Sequence, residues 1–313
     1  MYSFIVRRLL LSVPTLLIVS FLVFMMVRLD PDSVVAARLG EGYTPEAAEA
    51  VKEDYGLNNP VWSEYIKWLG NIVTGDWGES AYTFEPVLSE MGPKIGVTLE
   101  LAVLAVLFSL FIGVPIGVFS AMRQDRWPDY TLRVFAIFGL SVPGFLLATI
   151  LLTILAERSG WIPDTQYTSL LDNPFVNLKN MWLPAFLLSL ASAAQVMRFS
   201  RTMMLDVLRQ DYIRTAWAKG LRERVIIARH ALRNALLPVI TVLGLTLAFL
   251  VGGTVVFETL FTLPGLGTHL IRAVQQKDFA VVQGVTLFFA IAVILINLMV
   301  DIAYTVLDPR ARV

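Results

Sequence analysis

The sequence contains no cysteine, only two histidines and few charged residues for its length. Without cysteine, neither a disulfide framework nor a cysteine-ligated metal site can form. Charged residues make up 16% of the 313 residues, whereas 56% are hydrophobic and the mean hydropathy is +0.67. A soluble domain has about 25% charged residues. The composition therefore indicates a membrane protein.

Motifs of several enzyme classes are missing as well. The sequence has no GxxxxGK[ST], so it lacks a P-loop for ATP, and it has neither HExxH nor GxSxG. The apolar runs also lack the carboxylates and histidines that couple a proton-driven carrier. We expect no catalytic site and no cofactor in this chain. If it is a transporter, its energy would come from another subunit.

Six uncharged apolar runs are long enough to cross a bilayer, which takes about 17–25 helical residues. Because backbone polar groups in lipid must be satisfied within the segment, these runs are predicted to be helices. The first is too long for a signal-peptide core and is interpreted as a retained span. The runs are Leu9–Val27, Leu101–Met122, Val134–Ala156, Asn180–Met197, Asn234–Phe257 and Phe279–Val300.

The positive charges are distributed unevenly between the two sides that six spans would define. Nine cations lie between Arg198 and Arg233 alone, and most acids lie on the opposite side. The positive-inside rule then places both termini and residues 198–234 in the cytoplasm of a multi-pass protein. The two histidines, His230 and His269, would lie on opposite faces, which excludes a shared metal.

The segment 30–96, between the first two spans, is predicted to form a partly helical extracytoplasmic cap. Thr44 with Pro45, and Asn59 with Pro60, are typical of helix starts, and Gly56 is typical of a helix end. Four aromatic residues of this segment fit either packing or a membrane-interface belt. They are Trp62, Tyr65, Trp68 and Trp77.

The basic segment 198–234 admits three interpretations. Its cations could bind anionic lipid, which explains the charge but not the pattern. Nucleic-acid binding is disfavoured because leucine and isoleucine separate charges that lie against the membrane. Docking of a partner protein fits best, because an apolar face through Leu205, Leu208, Tyr212 and Ala216 ends near Gly220, where a second amphipathic run begins. Thr215, Ala216 and Ala218 would let a partner backbone approach closely.

A second unusual segment follows Glu258. Three carboxylates, Glu100, Glu258 and Asp301, bound the spans, and the first and last are expected to be solvated at the interface. "TLFTLPGLGTHLIRAVQQ" is too apolar for a free loop and too interrupted for a span, and its end is predicted to be a short helix. It could form a gate over a cavity or pack against the cap. The predicted outer-gate residues are Glu258, Pro264, Gly265 and Gly267.

Several stretches in order along the chain resemble the permease subunits of ATP-binding-cassette (ABC) importers, in the dipeptide, oligopeptide and nickel branch. They include "RRLLLSVPTLLIVSFLVFMMVRL", "YGLNNPVWSEYIKWLGNIVTGDWGES", "DYIRTAWAKGL", "GGTVVFETLFTLPGLG" and "LDPRAR". The family's cytoplasmic signature is Glu-Ala-Ala, three residues and Gly. Arg214, Thr215 and Ala216 stand at the first three positions and Gly220 at the last, so the carboxylate is missing.

The resemblance implies a type I importer permease with residues 1–29 as the first span, 30–96 as the cap and 97–313 as a five-span core. The implied partners are a second homologous permease, two ATPase subunits that hold ATP and magnesium, an extracytoplasmic binding protein and membrane lipid. The implied location is a bacterial or archaeal cell membrane. The implied ATPase-coupling residues are Arg214, Thr215, Ala216, Lys219, Gly220 and Leu221.

The resemblance leaves the substrate open. The branch handles peptides, nickel and some sugars, and the spans carry no metal-ligating cluster. We therefore expect di- or oligopeptides, with nickel chelates or oligosaccharides as the alternative. A secondary carrier is a further alternative, but it would need coupling charges within its spans.

Overall fold

The computed structural model describes residues 2–164 and 166–307, and in this part the regular secondary structure is helical apart from one isolated bridge between Glu79 and Pro86. Most of the "LDPRAR" stretch, from residue 308 onwards, and with it the end of the predicted core, lies outside the described residues. The helices are α1 (Tyr2–Leu29), α2 (Pro31–Leu39), α3 (Pro45–Asp54), α4 (Val61–Thr74), α5 (Val87–Met122), α6 (Trp127–Ser141), α7 (Gly144–Ser159), α8 (Pro174–Leu208), α9 (Asp211–Ala218), α10 (Glu223–Val225), α11 (Arg233–Leu260), α12 (Leu266–Gln276) and α13 (Phe279–Leu307).

The predicted six spans are confirmed, with a difference in the third. Five helical segments are long and apolar enough to cross a membrane, and α6 with α7 makes a sixth if the bent pair counts as one span. The predicted single helix Val134–Ala156 is wrong, because α6 and α7 meet at a bend of 91°. Pro143 disfavours helical backbone at Val142, so the helix stops there and a new one starts at Gly144.

The chain divides into two compact units. One consists of Leu99–Thr262 with the chain from Leu295 onwards, and the other of Tyr2–Thr98 with Leu263–Ile294. The predicted division into a first span (1–29), a cap (30–96) and a core (97–313) came from the family resemblance and not from compactness. It remains a prediction.

Helix α8 is the centre of the first unit. It packs against α6, α7 and α11. In its most apolar window 67% of the residues are buried, against 39% or fewer in the four other single spans. This helix is therefore a core helix of the subunit, and its few exposed positions stand out.

Two glycines bring α5 close to α8. A Cβ atom at Gly113 would lie 2.7 Å from the carbonyl oxygen of Ala193, and one at Gly117 would lie 2.5 Å from that of Met197. Small residues four apart allow membrane helices to approach at backbone distance, where van der Waals packing drives association. The pair Gly113 and Gly117 therefore sets the spacing between these helices.

In the second unit, the predicted cap helices are present. The Thr44 hydroxyl accepts a hydrogen bond from the Ala47 amide at 3.1 Å, as the capping pattern predicts, and Gly56 has φ +59°. Asn59 does not cap α4; its side chain donates to Glu64 instead. Helix α2 was not predicted from the sequence. Asp30 caps its N-terminus, and the Asp30 carboxylate accepts a hydrogen bond from the Ser33 amide.

The aromatic residues of the cap divide between the two expected roles. Tyr65 is buried, and its hydroxyl lies 2.8 Å from the Ser20 hydroxyl of α1. Trp62 stacks on Phe21 at 5.1 Å yet remains largely exposed. Packing against α1 therefore explains Tyr65, and the exposed ring of Trp62 is consistent with an interfacial position.

Candidate functional site

The site is built on α9, a two-turn helix in the basic segment. Ile213 and Ala216 of α9 are buried in one apolar cluster with Met204 of α8 and Ile226. Ala121, at the end of α5, and Ala231 and Ala235 complete the cluster. The Asn234 amide donates to the Tyr212 hydroxyl at 2.9 Å. Helix α9 is thus fastened to the ends of α5 and α8 and to the start of α11.

The predicted continuous apolar face from Leu205 to Lys219 is wrong. Helix α8 ends at Leu208, and α9 starts afresh at Asp211 after the extended Gln210. The break rotates α9, so Ile213 rather than Tyr212 faces the core. Ala216 is also buried, so it cannot belong to a partner-facing surface. Its contribution to coupling would be to hold α9 in place.

Gly220 ends α9 in a Schellman motif. The Gly220 amide donates to the Trp217 carbonyl at 2.9 Å and the Leu221 amide to the Ala216 carbonyl at 3.4 Å. Gly220 has φ +73°, and no atom lies within 4 Å of a Cβ built on it. The glycine is therefore needed for its left-handed backbone and not for space inside this chain.

Substitution of Gly220 can distinguish a need for left-handed backbone from a need for space beside a partner. We expect Gly220→Ala to cost about 1–2 kcal/mol in the cap, because an L-residue with a Cβ disfavours this conformation. Asparagine tolerates positive φ, so Gly220→Asn should retain the turn at residue 220. Hydrogen exchange of 211–222 and transport-coupled ATP hydrolysis are the measurements. Equal loss in both variants would show that a partner needs the space instead.

After Gly220 the chain returns to helix in an unusual form. Helix α10 leads into seven residues of π-helix, Ile226–Leu232, which continue directly into α11. π-Helical turns are rare and are frequent at functional sites. From Glu223 to the end of α11 the backbone is therefore helical without a break.

The outward surface of this site differs from the predicted set. Arg214 is exposed, and its partner among the described residues is Asp211 of its own helix, at 3.3 Å. Thr215, Lys219 and Gly220 are also exposed. Trp217 and Leu221 expose 48% and 39% of their surface beside them. Trp217 was missed by the sequence analysis, although a tryptophan in a polar segment was the available signal.

A buried ion pair lies next to this site and was also missed. Asp129 of α6 is fully buried, and its carboxylate accepts two hydrogen bonds from the Arg201 guanidinium of α8, both at 2.8 Å. The Ser120 hydroxyl of α5 donates at 2.5 Å and the Asp125 amide at 3.1 Å. One carboxylate therefore ties together α5, α6 and α8.

The predicted outer-gate residues fall in two places. Glu258 is fully buried in α11. In the second unit, Gly265 precedes α12 in an extended conformation, Gly267 is buried within α12, and Pro264 is exposed. The predicted short helix is confirmed as α12. The gating role of these four residues remains a prediction.

Helix α12 packs on its own unit, which was one of the two expected outcomes. Leu266 lies in a cluster with Val87, Met91 and, at its edge, Trp77 of the cap segment. The Leu266 amide donates to the Thr98 hydroxyl at 2.8 Å. These contacts hold α12 on the start of α5.

Charged groups around α12 are closely arranged. Nε2 of His269 lies 3.2 Å from a carboxylate oxygen of Glu90. Burial lowers the pKa of His269, and the charge of Lys94 lowers it further. Burial at this position therefore favours the neutral form of the imidazole. Among the described residues no group of three or more acids and histidines could hold a metal ion.

Glu100 differs from the expectation of a solvated carboxylate. It is half-buried and accepts a hydrogen bond from the Tyr167 hydroxyl at 2.6 Å. Burial and this carboxylate raise the pKa of Tyr167. Glu100 thus anchors the loop between α7 and α8.

Comparison with known proteins agrees with this arrangement. Residues 113–313 match the family described as binding-protein-dependent transport system inner membrane component, and residues 1–89 match its N-terminal family. A solved structure of the MetNI methionine ABC transporter, in an inward-facing conformation, shares the fold with a TM-score of 0.56. The match covers 72% of this chain and 99% of that chain, at 18% identity.

Relatives of similar length cover the whole chain. The dipeptide transport system permease protein DppB of Alkalihalophilus pseudofirmus is 36% identical over all of both chains. The oligopeptide transport system permease protein AppB of Bacillus subtilis is 39% identical over 99% of each chain. The glutathione transport system permease protein GsiC of Pectobacterium atrosepticum is also 39% identical, over 100% of this chain and 99% of its own.

The matched residues 113–313 include the spans from α6 onwards, helix α9 and the turn at Gly220. The chain therefore belongs to the family of inner-membrane permease components of binding-protein-dependent ABC transport systems.

Proposed function

We propose that this chain is one of two homologous permease subunits of an importer that carries di- or oligopeptides across the cell membrane by alternating access. Three similar full-length relatives are named for dipeptide, oligopeptide and glutathione transport, which supports a peptide substrate. Two separate ATPase subunits supply the energy, and an extracytoplasmic binding protein delivers the peptide. Both chain termini lie in the cytoplasm.

The observation that carries the proposal is how α9 is fastened. Its inner face is buried with residues of α8 and of the segment that leads into α11. Its outer face exposes Trp217, and Leu221, just after the helix, is exposed as well. A partner that binds the outer face of α9 and moves therefore displaces a helix that is packed against the ends of α5 and α8 and the start of α11. Tryptophan is also one of the residue types enriched among energetically dominant interface contacts.

Replacement of Trp217 tests the coupling contact. We expect Trp217→Ala to weaken retention of the ATPase subunits by tenfold or more, since truncating a dominant interface residue costs about 2 kcal/mol or more. Co-purification of the ATPases and ATP-dependent uptake of a labelled dipeptide into proteoliposomes are the measurements. Trp127→Ala is the matched control, because Trp127 is exposed at the start of α6, on another element.

The outcomes separate the importer from its alternatives. Full retention and uptake in Trp217→Ala would contradict the assigned docking surface. Uptake by the permeases without ATPase subunits would indicate a secondary carrier. Uptake of nickel chelates or oligosaccharides in place of peptides would retain the mechanism and correct the substrate.

A further inference from the structure

A polar groove runs between α6 and α8 in the first unit. Two cavities of about 390 and 290 Å³ adjoin there, and both are lined by Arg198 and Thr202. Helix α8 adds Gln195, and α6 adds Leu140, Ile137 and Arg133. Each cavity is near the lower limit for small-molecule pockets, about 300 Å³.

The groove has an excess of positive charge. Three arginines line it, namely Arg133, Arg198 and Arg201, and no acid does. Arg201 donates two hydrogen bonds to the Asp129 carboxylate, and Nε of Arg133 lies 3.6 Å from Oδ1 of the same carboxylate. In the described part of the chain, the guanidinium of Arg198 has no hydrogen-bond or ion-pair partner. Arg198 is the cation left available for a ligand.

The residue types along the groove argue against contact with lipid. Gln195, Arg198 and Thr202 follow the spacing i, i+3, i+7 and are exposed on one side of α8, at the end of its uncharged run. Charged and amide side chains in a membrane helix almost always face protein or a water-filled cavity, because hydrocarbon cannot solvate them. This side of α8 therefore suits a protein interface or a water-filled pathway better than contact with lipid.

We propose that this groove binds the terminal carboxylate of the transported peptide on Arg198, an inference that rests on the proposed function. A guanidinium presents parallel donors that match the two oxygens of a carboxylate. The Thr202 hydroxyl and the Gln195 amide offer donors and acceptors for the adjoining peptide group. Leu140 and Phe199 give the side chain an apolar wall. Such a site accepts peptides of different sequence, because every unmodified peptide carries the carboxylate.

The transport test uses the complete transporter in proteoliposomes. We expect Arg198→Gln to raise the KM for a labelled dipeptide about tenfold, while uptake of the C-terminally amidated dipeptide, weak in the wild type, does not change. Arg209→Gln is the matched control, because Arg209 is an exposed arginine at the end of the same helix and lines neither cavity. Equal loss for both peptides would overturn the carboxylate assignment. An effect confined to liposomes with anionic lipid would assign the groove to a lipid phosphate instead.

A labelling test does not depend on transport. Because this chain has no cysteine, Thr202→Cys introduces the single thiol whose modification in this subunit is scored. We expect an anionic methanethiosulfonate to react faster than a cationic one, and the Arg198→Gln background to remove the preference. Lack of reaction with either reagent, or no charge preference, would overturn the groove. If the preference holds but wild-type transporter imports no peptide, the proposed substrate fails and the carboxylate site stands.

Discussion

Asp129→Leu is expected to destabilise the transporter by about 3–5 kcal/mol, since removing one partner of a buried ion pair leaves the other charge uncompensated. The Arg201 guanidinium would lose both hydrogen bonds to the carboxylate while its side chain remains only 16% exposed. The Ser120 hydroxyl and the Asp125 amide would lose their acceptor as well. The midpoint of unfolding of the purified permease in detergent is the measurement.

The double variant Asp129→Leu/Arg201→Met should recover most of this loss, because replacing both charges with apolar residues is often neutral. Asp211→Leu is the control: it breaks the exposed pair with Arg214, for which surface pairs suggest 1 kcal/mol or less. If the single and double variants were equally unstable, the carboxylate would stabilise the fold by some means other than its pairing with Arg201.

Gly117→Leu is expected to have a comparable effect through packing. A Cβ atom at this position already lies 2.5 Å from the Met197 carbonyl and 2.9 Å from the Ser200 side chain. Overpacking costs about 1–3 kcal/mol in general, and here the obstacle is backbone, which cannot rotate aside. We therefore expect a loss at or above the upper end, measured as a lower unfolding midpoint and a lower yield of folded protein.

Gly252→Leu is the matched control for this substitution. Gly252 is also inside a membrane helix, but no atom lies within 4 Å of a Cβ built on it. This variant should keep the unfolding midpoint of the isolated permease. If Gly117→Leu behaved like Gly252→Leu, α5 and α8 would not depend on close contact at this glycine.

Local features of the fold could be predicted from single stretches of sequence. The bilayer thickness converts an uncharged run of about 20 residues into a spanning helix, and the runs at Leu9–Val27 and Phe279–Val300 became α1 and α13. The cap of α3 at Thr44 and the end of α9 at Gly220 follow from hydrogen bonds and backbone preferences within a few residues. The prediction of the third span as a single helix failed, because a proline shows where a helix can stop but not how sharply the next helix turns.

Which residues face each other was decided by the tertiary structure. The ion pair joins Asp129 and Arg201, 72 positions apart, and no local pattern selects that arginine from the eight between Arg198 and Arg233. The two-residue break after Leu208 turned Ala216 inward and left Tyr212 and Trp217 exposed, whereas a continuous helical period placed Tyr212 and Ala216 on one face.

The sequence by itself determined that the chain spans a membrane, where most of its spanning helices lie and which segment turns at Gly220, because hydropathy, charge and backbone preference act over one or two helical turns. Only the tertiary structure decided that α9 is fastened through Ile213 and Ala216 and that Arg198 is left available in a groove. Both depend on the packing of helices distant in sequence, where burial and pairing select one face and one partner among several of similar composition.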